Sequence, residues 1–96
     1  MRSVYEQLRK LGISEEKAQR QLSIITTLLN FGGKADRAIV YGDCCSKGRY
    51  DERRGVSSLL DFLDDIEVLK SQKFIRESKT SGLEATSKVK KAYANS

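Results

Sequence analysis

The chain has 96 residues, of which 39% are hydrophobic and 32% charged, and its formal net charge is +5. A chain of this length forms one small domain with a single modest core. It contains no histidine, and its two cysteines are adjacent, which excludes histidine catalysis, histidine or cysteine zinc sites, and a disulfide between distant segments. A nucleophile would have only lysine or carboxylate as its base. We therefore expect no enzyme activity, no metal and no cofactor.

The apolar segments are far shorter than the ~20 residues that a membrane span requires. The segment from Met1 to Leu11 also lacks the apolar centre of a secretory signal peptide. We expect a cytoplasmic protein without membrane contact. Its 18 lysines and arginines against 13 acids favour an acidic partner such as nucleic acid.

The first half of the chain has helical periodicity. A first helix is predicted from Ser3 to Leu11, ending at Gly12, and Ser14 is predicted to cap a second helix from Glu15 to about Phe31. The first helix has one apolar stripe, formed by Val4, Leu8 and Leu11. The second helix has two adjacent stripes: one contains Ala18, Leu22, Ile25 and Leu29, and the other contains Gln21, Ile24, Leu28 and Phe31. These faces predict a helical core.

Two further helices are predicted after Gly33. Asp36 would cap a third helix through about Cys45, although the run from Ala38 to Tyr41 could instead form a short strand. After a break at 46–48, Asp51 would cap a fourth helix through Ile66. Its predicted core stripe comprises Val56, Leu59, Leu60, Leu63 and Ile66.

The periodicity then changes. The run from Val68 to Ser78 looks extended, 79–82 is a turn signal, and Leu83 to Thr86 can return as a second strand, so that the pattern predicts a β-hairpin. A basic helix from Ser87 to about Asn95 follows. The fold class is therefore mainly α with a small β-hairpin (α+β). The divisions of this single domain are an N-terminal helix extension (1–12), a helical core (14–67), a hairpin (68–86) and a C-terminal helix (87–96).

Two helices joined by a short glycine-containing turn and followed by a hairpin are typical of a winged helix-turn-helix. The recognition helix would then be Asp51–Ile66, and the hairpin would be the wing. The charges agree with this orientation, because a recognition helix enters the major groove by its N-terminal residues. Four cations lie at or before its start and four acids at its far end: Lys47, Arg49, Arg53 and Arg54, and Asp61, Asp64, Asp65 and Glu67.

Further DNA-contacting residues are predicted beside these cations. Ser57 and Ser58 would face outward toward phosphates or base edges, and the wing would contact the DNA backbone. The wing residues are Lys73, Arg76, Lys79, Thr80 and Ser81. Each DNA-contacting role has an alternative. Arg53 and Arg54 could simply be solvated at the start of the helix and paired with Asp51 and Glu52, and the lysines of the hairpin could protect an edge strand from aggregation. Lys88, Lys90 and Lys91 are interpreted as the solvated face of the last helix.

The stretch RRGVSSLLDFLDDIEVL from Arg53 to Leu69 resembles a winged-helix recognition helix leading into the first wing strand. It is similar to the C-terminal winged helix of archaeal origin-recognition-type replication initiators, from which it departs at Gly55. The segment GLEATSKVKK from Gly82 to Lys91 is similar to the strand and helix that end MarR-like and PadR-like regulators. This resemblance implies that Arg53, Arg54, Ser57 and Ser58 face the groove and that 79–82 is the wing tip.

The sequence thus predicts a double-stranded DNA-binding protein, in the first instance a small transcriptional regulator. We expect a homodimer that pairs through the N-terminal and C-terminal helices, since one module buries little surface on DNA. Two alternatives are the DNA-binding module of a replication initiator and a winged helix used for protein–protein contact.

Overall fold

A computed structural model of the chain describes residues 2–80 and 82–94. Over these ranges it is mainly helical, with five α-helices and three short strands. The helices are α1 (Arg2–Lys10), α2 (Glu15–Asn30), α3 (Arg37–Ser46), α4 (Val56–Ser71) and α5 (Ser87–Ala94). The strands are β1 (Lys34–Ala35), β2 (Ile75–Ser78) and β3 (Gly82–Ala85). None of the helices in this part of the chain is long and apolar enough to cross a membrane.

Helix α2 is central to the core. It packs against α1, α3, α4 and the sheet, and its buried face includes Ala18, Ile24, Ile25 and Leu28. The predicted cap at its start is confirmed, because the hydroxyl of Ser14 accepts a hydrogen bond from the backbone N–H of Lys17. The wide apolar face of α2 is therefore used within the domain.

The strands form one antiparallel sheet in the order β1-β3-β2. The predicted hairpin is confirmed in β2 and β3, whereas the sequence did not predict β1. This two-residue strand pairs Lys34 with Glu84 and Ala35 with Leu83. It is too short to show a period-2 pattern, and only the approach of β3 gives it a hydrogen-bonding partner.

The fourth helix has other bounds than predicted. Asp51 caps only a single 3₁₀ turn at Glu52–Arg54, and Gly55 has a φ of 60°, so α4 begins at Val56. A left-handed backbone at Gly55 interrupts the helix that the sequence placed from Asp51 onward. At the other end α4 continues to Ser71, so the extended run predicted to begin at Val68 is helical there and becomes a strand only at Ile75.

The buried face of α4 also differs from the predicted stripe. Ile66 is buried, but Val56, Leu59 and Leu60 are 71%, 42% and 59% exposed. The residues that face the core are Ser58, Phe62, Asp65, Ile66 and Leu69. Leu11 and Phe31, which were also predicted to lie in apolar stripes, are about half exposed at the ends of their segments. The strand alternative for 38–41 is wrong, because these residues are part of α3.

Candidate nucleic-acid interface

The orientation of α4 is fixed by a buried carboxylate. Asp65 is fully buried and accepts hydrogen bonds from two residues of α2. The donors are Arg20 Nε at 2.9 Å, Arg20 Nη2 at 3.3 Å and Gln21 Nε2 at 3.0 Å. Asp65 also accepts one from the hydroxyl of Tyr50 at 2.6 Å. A buried charge is tolerated only when it is paired and hydrogen-bonded in this way. The sequence grouped Asp65 with the acids at the far end of the recognition helix, whereas the structure places it in the core.

Tyr50 attaches the loop between α3 and α4 to the core. Its ring packs edge-on against Phe62 at a centroid distance of 5.5 Å, and its hydroxyl binds Asp65. Burial, together with the adjacent carboxylate of Asp65, raises the pKa of Tyr50, so this phenol stays neutral and donates its proton. We call residues 47–55 the connecting loop, and Tyr50 is its one buried side chain.

Ser58 lies inside the protein and not on the predicted outer face of α4. It is 1% exposed, and its hydroxyl is 2.8 Å from the phenolic oxygen of Tyr41 on α3. A hydroxyl that is buried and already paired is not available to a phosphate or a base. Of the two serines that the sequence placed at the groove, only Ser57 is exposed.

The cations of the connecting loop are close to acids of the same chain. Three exposed ion pairs link Lys47 to Asp43 at 2.8 Å, Arg53 to Asp51 at 3.0 Å and Arg54 to Asp61 at 3.3 Å. Arg54 also donates to the hydroxyl of Ser57 at 2.9 Å. The hydrogen bond from Lys47 and a second one from Thr27 lower the pKa of Asp43. Arg49 is exposed and lies beside Glu15 and Glu16 at the start of α2.

The hairpin supplies a second group of cations. Arg76 on β2 is paired with Glu84 on β3, directly opposite it in the sheet, and this arginine lowers the pKa of Glu84. Lys73 precedes the strand in a left-handed conformation, with a φ of 65°, and is exposed. Lys79 and Thr80 are exposed in the turn, and Ser81 lies outside the described residues.

An exposed apolar surface lies at the start of α4, and the sequence did not predict it. Val56, Ser57 and Leu60 share the side of the first two turns that faces away from the buried residues, and we call them the leading face. Beyond Leu60 the same side carries the exposed acids Asp64 and Glu67. The sequence also contained this alternative orientation, because Phe62, Ile66 and Leu69 recur at helical spacing, and burying them places Val56 and Leu60 on the opposite side of the helix.

Within 2–80 and 82–94, no three cysteine or acidic side chains are arranged to hold a metal ion. The chain matches no protein-family model, no curated protein and no solved structure. The functional argument therefore depends on the arrangement of the residues above.

Proposed function

We propose that this chain is a winged helix-turn-helix domain that binds double-stranded DNA, as a small transcriptional regulator does. The observation that carries the proposal is the order of elements, in which α2, β1, α3 and α4 are followed by the β2–β3 hairpin and the sheet order is β1-β3-β2. In this arrangement α3 and α4 correspond to the helix-turn-helix, α4 to the recognition helix, and the hairpin to the wing.

The charge distribution along α4 supports contact through its N-terminal end. Arg53 and Arg54, in the single turn that precedes α4, lie at this end, where the helix dipole is also positive. Lys47 instead contacts Asp43 and Thr27, and Arg49 lies beside Glu15 and Glu16 at the start of α2. The acids Asp64 and Glu67 lie two and three turns further along and would repel phosphates. Binding would therefore use the connecting loop, the first two turns of α4 and the cations of the hairpin.

The ion pairs of the loop are compatible with this role. Arg53 is 91% exposed and Arg54 52% exposed at the side chain, and ion pairs this exposed contribute little to stability. When Arg53 leaves Asp51, or Arg54 leaves Asp61, to contact a DNA phosphate, the protein therefore loses little folding free energy. A phosphate contact also releases counterions from the duplex, which favours the exchange at low salt.

The proposal is tested by fluorescence anisotropy with a labelled random-sequence duplex at several salt concentrations. We expect log K to fall linearly with log salt, with a slope of about −0.9 for each phosphate contacted. The double variant Arg53→Ala, Arg54→Ala should bind more weakly and have a slope shallower by about 2.

A matched control removes two cations from α1. Arg9→Ala with Lys10→Ala takes charge from exposed positions of another helix and should change affinity less than the loop variant does. Absent binding at low salt, or an equal loss in the control and loop variants, would contradict the proposed site. Circular dichroism spectra of all variants show whether the fold is retained.

Protein–protein contact is a second candidate function, and the exposed apolar residues at the start of α4 favour it. Val56, Leu59 and Leu60 form a stripe of the kind that pairs helices. This function predicts a stable complex or self-association that Leu60→Ser disrupts, together with no salt-dependent binding to duplex DNA. Size-exclusion chromatography with light scattering distinguishes the two.

The proposed homodimer would use the outer edges of α1 and α5. These helices pack against each other within one chain and bury Val4, Leu8 and Val89. A dimer would therefore depend on their exposed side chains and on those beside them, including Leu11 and Tyr93. Light scattering of wild type and Leu11→Ser tests this arrangement, because a dimer through α1 should be weakened by the variant.

A further inference from the structure

The leading face of α4 holds two aliphatic side chains at the place where a recognition helix meets the bases. Val56 and Leu60 are 71% and 59% exposed and lie one helical turn apart on the same side. The third residue of the face, Ser57, accepts a hydrogen bond from Arg54, which is also paired with Asp61. The side chains free to approach a partner from this face are therefore apolar.

The major groove offers one apolar feature to such a surface. Its other groups are hydrogen-bond donors and acceptors on base edges, whereas the C5-methyl group of thymine is hydrophobic. Valine and leucine can bury this methyl but cannot satisfy the polar groups of a G·C pair. An apolar leading face therefore favours thymine at the contacted positions and disfavours G·C.

We infer that Val56 and Leu60 read thymine methyl groups, and that the protein prefers A·T-containing duplex sites over G·C sites. The inference depends on the proposed DNA-binding function and specifies the sequence class that it recognises. The start of α4 is complementary to DNA in charge as well, since Arg53 and Arg54 lie in the turn that leads directly into it and can contact the flanking phosphates.

A second copy of the chain is a poorer occupant of this face. A stable protein interface buries about 800 Å² on each partner, whereas the apolar surface here is limited to the first two turns of one helix, and the acids Asp64 and Glu67 follow on the same side. The cations before it and the acids after it also restrict the region that can be desolvated without leaving a charge unpaired.

The test compares two 20-base-pair duplexes of alternating A·T sequence, one containing thymine and the other deoxyuridine at every thymine position. Base pairing and phosphates are the same in both, and the methyl groups alone differ. Burying one methyl group should raise the affinity for the duplex about fourfold. We expect wild type to bind the thymine duplex about fourfold to fifteenfold more tightly, for one or two methyl contacts.

The double variant Val56→Ser with Leu60→Ser should bind both duplexes equally and retain the wild-type affinity for the deoxyuridine duplex within about twofold. Both residues are exposed, so the fold should be retained, and its thermal unfolding temperature checks this. Phe31→Ser is the matched control, because it removes a half-exposed apolar side chain at the end of α2 and should keep the full preference.

Each result separates the inference from the proposed function. Equal, salt-dependent binding of both duplexes by wild type would overturn the thymine contact and leave the DNA-binding proposal intact. No binding of either duplex would overturn both. A wild-type preference that persists in the double variant would overturn the assignment to Val56 and Leu60. A dimer that the double variant dissociates, in place of DNA binding, would assign the face to a second copy.

Discussion

Replacing Asp65 should destabilise the protein far more than replacing its neighbour in sequence. Asp65 is fully buried and joins α4 to α2 and to the connecting loop through Arg20, Gln21 and Tyr50. Asp64, the adjacent residue, is exposed. Asp65→Asn and Asp64→Asn therefore make the same chemical change in two different environments, and the second is a matched control for the first.

The expected size of the effect follows from the contacts. Removing one partner of a buried ion pair costs about 3–5 kcal/mol, because the other charge is left without compensation. Asn at position 65 preserves shape and can still accept from Arg20 and Tyr50. Gln21 Oε1, which is buried without a hydrogen-bond partner in the described part of the chain, can accept from the new amide after the Gln21 side chain turns over. We therefore expect Asp65→Asn to lower the free energy of unfolding by about 2–3 kcal/mol. Asp64→Asn should change it by less than about 0.5 kcal/mol.

Urea denaturation followed by far-ultraviolet circular dichroism measures the difference. With an m value of about 1 kcal/mol/M, a loss of about 2 kcal/mol lowers the midpoint by about 2 M. A domain of this size is stable by about 5–14 kcal/mol in total, so the Asn variant should still fold. Coinciding midpoints for the two variants would refute the conclusion that the Asp65 network holds α4 in place.

Three other predictions concern the same scaffold. Ser58→Ala should cost about 1 kcal/mol because Tyr41 loses the hydrogen bond to Ser58, while Ser57→Ala changes stability by less than about 0.5 kcal/mol; equal urea midpoints would contradict the burial of Ser58. The pKa of Tyr50 is raised by burial, so the folded state retains this proton where the unfolded state releases it, and wild-type stability should fall above about pH 10, by up to about 1.4 kcal/mol per pH unit. Tyr50→Phe should have a shallower alkaline slope in urea titrations at pH 9–11, and an unchanged slope would refute the assignment. Gly82→Ala should cost at least about 1 kcal/mol in thermal melts, since a Cβ would lie 2.9 Å from a backbone oxygen at the end of β1 and φ is +71°.

Local signals were sufficient to predict most elements of this chain. The cap at Ser14, the helical periodicity of 15–31 and the turn residues before Gly82 each depend on neighbours in sequence, and the corresponding helix and hairpin are present. The start of the fourth helix was wrong for a local reason as well. The predicted helix ran from Asp51 through Gly55, whereas the left-handed backbone at Gly55 separates a 3₁₀ turn from α4.

The candidate interface was predicted less well, because it depends on which side of α4 faces the core. Two apolar stripes at helical spacing run along this helix, and the sequence does not rank them. The choice depends on Asp65 and Ser58, polar residues that become buried only because Arg20, Tyr50 and Tyr41 on other elements provide their hydrogen bonds.

The sequence alone thus determined the helical content, the hairpin and the clustering of cations before one helix, all of which follow from spacing along the chain. The tertiary structure decided the rotation of that helix, and with it the exposure of Val56 and Leu60 and the burial of Asp65 and Ser58. It also decided the third strand, which exists only because β3 passes beside residues 34 and 35. Burial of a polar group depends on partners that are distant in sequence, and for this reason local patterns could not predict it.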